Sequence, residues 1–245
     1  MKEKEWDKIS DNYLEEILSP FNKGVENPIY HVLKSIKSKK KVIDLGCGLG
    51  ILAPFLSKNF KEVTAIDFSE KMIETAKENN KTLKNVNFQI KDIKDLKEFH
   101  NQFNVAVSVN SIIMPSLIDV EKAFQESYKI LKTKGYFIGI FPAIESEFLD
   151  ALLTFEKQLK ETKDEKSAIK NTHKIVGENY DFLLGIINYE GKQKHYYNFE
   201  LEYRLKKVGF KKIKISKVLY PWKIYGDSTI KNKPEIWDWF VTARK

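Results

Sequence analysis

The chain has 245 residues, 42% of them apolar, which suffices for one sizeable core. Its single cysteine rules out an internal disulfide, and no apolar run approaches the ~18 residues of a membrane-spanning helix. The formal charge of +8 rests almost wholly on lysines interleaved with acids, the arginines being Arg204 and Arg244, so it reads as a solvated surface rather than a nucleic-acid face built on bidentate contacts.

Residues 1–38 are expected to be helical. Asn27-Pro28 is a helix start, followed by the apolar stripe Ile29, Val32, Leu33 and Ile36. Trp6, Tyr13 and Phe21 lie ahead of it around the breaker Pro20. Val42–Leu45 reads as a buried strand that ends Asp44-Leu45-Gly46-Cys47-Gly48-Leu49-Gly50. Gly46, Gly48 and Gly50 permit a sharp turn and close approach to a ligand. Cys47, inside that loop, reads as a small loop residue rather than a nucleophile. Helical spacing resumes through Leu52, Phe55 and Leu56.

Val63–Asp67 is a second apolar strand ending in an acid. Ser69 caps the next helix, whose buried face carries Met72, Ile73 and Ala76. Val86–Ile90 is a third strand, followed by Asp92 and Ile93. Phe103–Val109 is a fourth, with Asn110 at its end. Asp119 is the expected N-cap of a helix over Val120–Leu131, and Tyr136–Phe141 is the fifth strand. Five strands alternating with helices predict a doubly wound α/β sheet, whose ligands bind outside the carboxyl ends of the strands. Three of those ends carry an acid and a fourth an amide.

After Pro142 the alternation pauses. Glu147–Lys160 reads as a helix, and Lys160–Lys174 as a polar stretch, helical or mobile. Phe182–Tyr189 and Lys192–Tyr197 read as a hairpin turned at Gly191. Asn198 is the expected cap of a helix ended by Gly209. Phe210–Leu219 and Trp237–Ala243 are the last strands.

The glycine loop is not a generic phosphate cradle. A dinucleotide fingerprint needs its third glycine one position later, and a P-loop needs Gly-Lys-Ser/Thr. Asp44 would repel a pyrophosphate and suits a cationic amine. With Asp67 and Asp92 at the next two strand ends, the constellation resembles the class I (Rossmann-like) S-adenosylmethionine-dependent methyltransferases, small-molecule type.

That resemblance implies a mostly parallel seven-stranded sheet with an antiparallel last strand. It implies an N-terminal helical lid over 1–38, a methyltransferase domain over 39–245, and an inserted substrate cap over 143–197. It implies S-adenosylmethionine as cofactor: Asp44 toward the amino group, Gly46, Cys47, Gly48 and Gly50 along the methionine and ribose, and Asp67 on the ribose hydroxyls. Phe68 and Ile93 would sandwich the adenine, with Asp92 on its amino edge, Asn110 near the methionine part and Met72 among the cofactor-binding residues.

The Asn/Asp-Pro-Pro-Tyr/Phe motif of planar-amine methylation is missing, as are a cysteine after the fourth strand and metal-ligand spacing among the four histidines. No metal is expected. A small-molecule acceptor of apolar or aromatic character is therefore the leading reading, with Tyr13, Met114, Tyr180 and Tyr197 as substrate candidates. His195 is either a general base or an exposed hairpin residue. The alternatives are an RNA or protein methyltransferase, with its groove near Lys206, Lys207, Lys211, Lys212 and Lys214, or a cofactor-binding partner protein without catalysis. The charged start Met1–Trp6 and the lone thiol fit a cytoplasmic protein.

Overall fold

The computed structural model describes residues 19–36, 40–176, 180–188, 191–222 and 234–245. Tyr13 and Trp6 lie outside the described residues, as does most of the expected lid.

Helix α1 (Ile29–Ser35) precedes five strands: β1 (Lys41–Leu45), β2 (Glu62–Asp67), β3 (Val86–Ile90), β4 (Phe103–Val109) and β5 (Leu131–Pro142). Between them run α2 (Ala53–Asn59), α3 (Glu70–Asn79), a 3-10 turn (Lys97–Phe99) and α4 (Leu117–Lys129). Next come α5 (Ile144–Thr162), α6 (Glu165–Val176) and the short strands β6 (Tyr180–Asp181), β7 (Ile186–Asn188) and β8 (Lys192–Lys194). The chain closes with α7 (Asn198–Val208), β9 (Lys211–Tyr220) and β10 (Ile236–Arg244).

The main sheet has seven strands in the order β3-β2-β1-β4-β5-β10-β9. β1 through β5 pair in parallel, and β10 runs antiparallel to both β5 and β9. Strand order reverses between β1 and β4, so their exits diverge and leave a crevice at the carboxyl edge.

Period-two alternation splits the core into two layers. Ile43, Leu45, Phe137 and Phe141 pack on one face with Phe124, Tyr196 and Trp239. Val42, Ile138 and Ile140 pack on the other with Ile29, Leu33 and Leu56. The stripe expected for α1 is thus a docking face: Ile29, Leu33 and Ile36 are buried.

Several expected boundaries move. The cap of α4 is Ser116, whose Oγ accepts the Asp119 N–H at 3.3 Å, so Asp119 sits in the first turn instead. Leu131 opens β5 and pairs with Phe103, where helix was expected. Asn198 does not cap α7. Tyr197 holds that position without a side-chain bond, and the Asn198 N–H goes to Glu145 Oε1 at 3.2 Å. The polar stretch after Lys160 contains α6, whose start is held by the Asp164 carboxylate accepting the Ser167 N–H at 2.8 Å. The expected hairpin is shorter, and β6 makes it a three-stranded sheet.

Candidate active site

The glycine loop is held by the strand ends around it. Gly46 has φ +70°, and a Cβ there would run into the Ser111 side chain. Ser111 Oγ donates to the Leu45 carbonyl at 2.6 Å and shares a hydrogen bond with Ser108 Oγ, tying the β4 exit to the loop. On the other side, Cys47 N–H donates to the Ile66 carbonyl at 2.8 Å and Gly48 N–H to Asp67 Oδ2 at 3.0 Å. Asp67 Oδ1 accepts the Ser69 N–H at 3.0 Å. Asp67 therefore latches the loop and the start of α3.

Asp44 and Asp67 are both buried. Burial, then the charge of Asp67, pushes the Asp44 carboxyl up to about 7. A cation between these acids would relieve the repulsion. Burial and the same two carboxylates push the Cys47 thiol well above its ordinary range, which disfavours a nucleophilic thiolate.

A cavity of about 920 Å³, mouth included, opens at the crevice. Of the candidates, Gly46, Gly48, Asp67, Phe68, Met72, Asp92, Ile93, Asn110 and Met114 line it. Asp44 and Cys47 line a smaller adjoining cavity that shares Gly46, Gly48 and Asn110 and is bordered by Ser19, Pro20 and Phe21. Gly50 lines neither; its N–H caps the loop by donating to the Cys47 carbonyl. Asp92 Oδ1 accepts the Lys94 N–H at 2.9 Å, and Lys94 Nζ reaches Asp119 Oδ2 at 3.2 Å.

Tyr180 and Tyr197 are not brought to the cavity. Tyr180 stacks on Phe182 and donates to the Val176 carbonyl. Tyr197 donates to the Phe182 carbonyl at 2.6 Å. Both rings cement the 143–197 segment to itself. His195 is buried rather than exposed, and burial followed by the Lys194 charge holds it down to about 4. It is a neutral packed imidazole whose Nδ1 lies 3.4 Å from Glu147 Oε1.

Ile113, part of the apolar exit of β4 expected to wall an acceptor pocket, lines the cavity, and so do Lys94, Ser111 and Gln193, which no sequence motif marks. The support beneath Asn110 carries no motif either. That residue turns the chain out of β4 with φ +47°. Its Nδ2 donates to Asp238 Oδ2 at 3.0 Å, which also accepts the Tyr220 hydroxyl at 2.7 Å. Burial pushes Asp238 up to about 6, against the pull of those two donors. Among the described residues no group of three His, Cys, Asp or Glu could hold a metal ion, and no helix is long and apolar enough to cross a membrane.

The donor set suits one kind of ligand. Two buried acids, acceptors suited to a cation and to hydroxyls, line the two cavities, and the apolar Phe68 and Ile93 border the larger one. These residues fit S-adenosylmethionine.

The family profile described as "Methyltransferase domain" matches residues 36–204. The chain belongs to this family. It is similar to the malonyl-[acyl-carrier protein] O-methyltransferase of Bacillus anthracis, 31% identical over 53% of this chain and 47% of that one. It is also similar to the ubiquinone biosynthesis O-methyltransferase of Coxiella burnetii, 29% identical over 39% of this chain and 41% of the other. The alignment thus spans less than half the length of either curated relative. Among solved structures, the 1,6-didemethyltoxoflavin-N1-methyltransferase of Burkholderia thailandensis, with that compound and S-adenosylhomocysteine bound, superposes with a TM-score of 0.66. It is 12% identical, over 99% of this chain and 86% of that one. A SAM-dependent methyltransferase of Methanosarcina mazei gives 0.62 at 17% identity, over 89% and 97%. At these identities the structures establish the shared fold.

Proposed function

We propose that the enzyme methylates a small-molecule acceptor of apolar or aromatic character, with residues 1–38 as a lid and 143–197 as a cap over the acceptor side. One observation carries this reading: where the chain leaves β4, the apolar Val109, Ile113 and Met114 line the cavity beside Asn110 and Ser111, and strand β8 reaches it through Gln193. Lys194 N–H donates to the Ile113 carbonyl at 2.9 Å, and the Tyr196 hydroxyl to the Ile112 carbonyl at 2.6 Å. Residues 193–196 therefore lie across the β4 exit, where an acceptor must approach. The curated relatives named above act, by their names, on a carrier-bound malonyl group and in ubiquinone biosynthesis, and both are O-methyltransferases.

S-adenosylmethionine supplies a methyl group on a positive sulfur, open to in-line displacement. In this reading Asp44 faces the ammonium, Asp67 accepts from the ribose hydroxyls, and Phe68, Met72 and Ile93 enclose the adenine, whose amino group Asp92 reads. Gly46 and Gly48 let the backbone pass close to the methionine and ribose. Asn110, braced by Asp238, holds the turn beside the transfer site, and Met114 borders the acceptor. Aligning donor and acceptor in this way can supply several kcal/mol without a catalytic base.

The test is to incubate the protein with methyl-tritiated S-adenosylmethionine. One panel holds small aromatic and acyl compounds bearing hydroxyl, carboxyl, amine or thiol groups; the other holds total RNA and ribosomal proteins. Label in an organic-extractable product is expected. Label confined to RNA or protein would overturn the reading.

A further inference from the structure

We propose that a cleft at the amino end of the sheet is a second binding site, for a small phosphate-bearing anion held by Arg244, Lys134 and Asn104. It is separate from the cofactor cavity and does not depend on the identity of the acceptor. The sequence scatters these residues, and the topology gathers them. The cofactor cavity lies at the carboxyl ends of the parallel strands. β10 runs against β5, so its last residues arrive where β4 and β5 begin. Register sets Arg244 opposite Tyr136 of β5 and Lys211 of β9. A cleft of about 910 Å³, mouth included, opens there. Its polar lining is Ser35, Asn104, Thr133, Lys134, Tyr136 and Arg244, and it includes no acidic side chain.

Arg244 is the centre of the site. Of the 42 basic residues only Arg204 and Arg244 are arginines, and Arg204 is committed to Glu200 at 2.8 Å. Arg244 lays its guanidinium over the Tyr136 ring, with Cζ 3.7 Å from the ring centroid. Its Nε is buried without an acceptor, and among the described residues no carboxylate pairs with the group. A buried N–H left unpaired is costly and rare in a folded protein. A guanidinium stacked on a ring keeps its in-plane donors, whose fork matches two oxygens of one phosphate.

The surroundings add a second charge and a neutral donor. Lys134 turns the chain with φ +64°. Its N–H donates to the Lys245 carbonyl, and the Lys245 N–H to the Gly135 carbonyl, each at 3.0 Å, so the turn is tied to the strand that carries Arg244. The Lys134 ammonium has no partner among the described residues. The neighbouring ammonium groups are taken, that of Lys41 by Glu62 and that of Lys245 by Asn101 and two carbonyls. Asn104 Oδ1 accepts the Lys41 N–H at 3.2 Å, which orients the amide and leaves its Nδ2 donors unpartnered among the described residues. Two such cations and an amide, with no acid beside them, select a group of charge near −2, and a phosphate monoester carries about −1.5 to −2 at pH 7.

The probes are inorganic pyrophosphate and succinate, titrated into the full chain by calorimetry at low ionic strength, where screening is weak. Pyrophosphate should bind at least about threefold more tightly than succinate. β4 runs from the cleft at Asn104 to the cofactor cavity at Asn110, about 20 Å away, so saturating S-adenosylhomocysteine should change the pyrophosphate affinity by less than about twofold. Arg244→Lys keeps the charge but loses the fork, and should weaken pyrophosphate at least about fivefold. Lys134→Glu, on an exposed turn, should weaken it at least about tenfold. Lys170→Glu makes the same change of charge on the exposed face of α6, away from the cleft, and should leave it within about twofold.

Thermal melts show that each variant is folded, and should Arg244→Lys fail to fold, Lys134→Glu carries the test alone. No binding of pyrophosphate to wild type, or its displacement by S-adenosylhomocysteine, would overturn the site. Equal losses in Lys134→Glu and Lys170→Glu would reduce it to the general positive charge of the chain, and full affinity in a folded Arg244→Lys would remove the bidentate clamp. Succinate bound as tightly as pyrophosphate would overturn the assignment to phosphate.

Discussion

On the β1–β3 side of the cavity, the groups that meet are close in sequence: Gly48 and Asp67 are 19 residues apart. On the β4–β10 side, Ile112 meets Tyr196 across 84 residues and Asn110 meets Asp238 across 128. The first side is assembled by the register of neighbouring parallel strands. The second depends on where an inserted segment and a final antiparallel strand dock. Parallel register fixes the cofactor half whatever fills the rest of the chain, so differences in substrate should reside on the second side.

The largest expected effect tests whether the second side is as rigid as the first. Lys194→Ala leaves the carbonyls of Leu184 and His195 without their buried donor, and Glu200 with Arg204 as its remaining cation. Breaking such a pair costs about 3–5 kcal/mol. Chemical denaturation should show a loss of that order. A loss below about 1 kcal/mol would mean that the segment is loosely seated.

On the cofactor side, Asp67→Ala should weaken S-adenosylmethionine by about 2–4 kcal/mol, since charge-assisted hydrogen bonds are worth ~1.5–3 each. The latch on Gly48 and Ser69 goes with them. Calorimetry that finds the affinity unchanged would remove Asp67 from the site.

How much of each side was legible follows from the same difference. Asp44, Asp67 and Asp92 could be placed from the sequence because each ends or follows an apolar run, and strand ends in a parallel sheet converge. The double role of Asp67 was not visible, because the backbone N–H groups it accepts carry no residue signature. Tyr180 and Tyr197 read from the sequence as pocket aromatics, but aromatic content does not say which way a ring faces. They bond to Val176 and Phe182 within their own segment. The burial of Lys194 runs against the strong tendency of lysine to stay in water, so no sequence pattern shows it. Asp238 required knowing that β10 lies beside β5.

A pH series separates the acids by their surroundings. Asp44 is raised to about 7 from an ordinary 3.8, so between those values the folded chain binds more protons than the unfolded one. The stability of the protein without cofactor should fall as pH rises through this window, by at most about 1.4 kcal/mol per unit. The ammonium of S-adenosylhomocysteine favours the carboxylate, so binding should release a proton and strengthen as pH rises toward 7, by up to about tenfold per unit. Titrations in buffers of different ionisation enthalpy read that proton directly. Asp44→Asn should flatten the stability slope.

The smallest effect asks whether the far strand reaches the cofactor side at all. Asp238→Asn keeps the shape and an oxygen for the Tyr220 hydroxyl but removes the charge that holds Asn110 Nδ2. A hydrogen bond to a charged group exceeds a neutral one by about 0.5–1.5 kcal/mol. S-adenosylhomocysteine should therefore bind about three- to tenfold more weakly, because the turn at Asn110, with its φ of +47°, loses its brace. The carboxylate near 6 also disappears from the stability profile. If affinity holds while that titration vanishes, Asp238 is a support for β10 and Tyr220 alone, and the cofactor half is independent of the last strand.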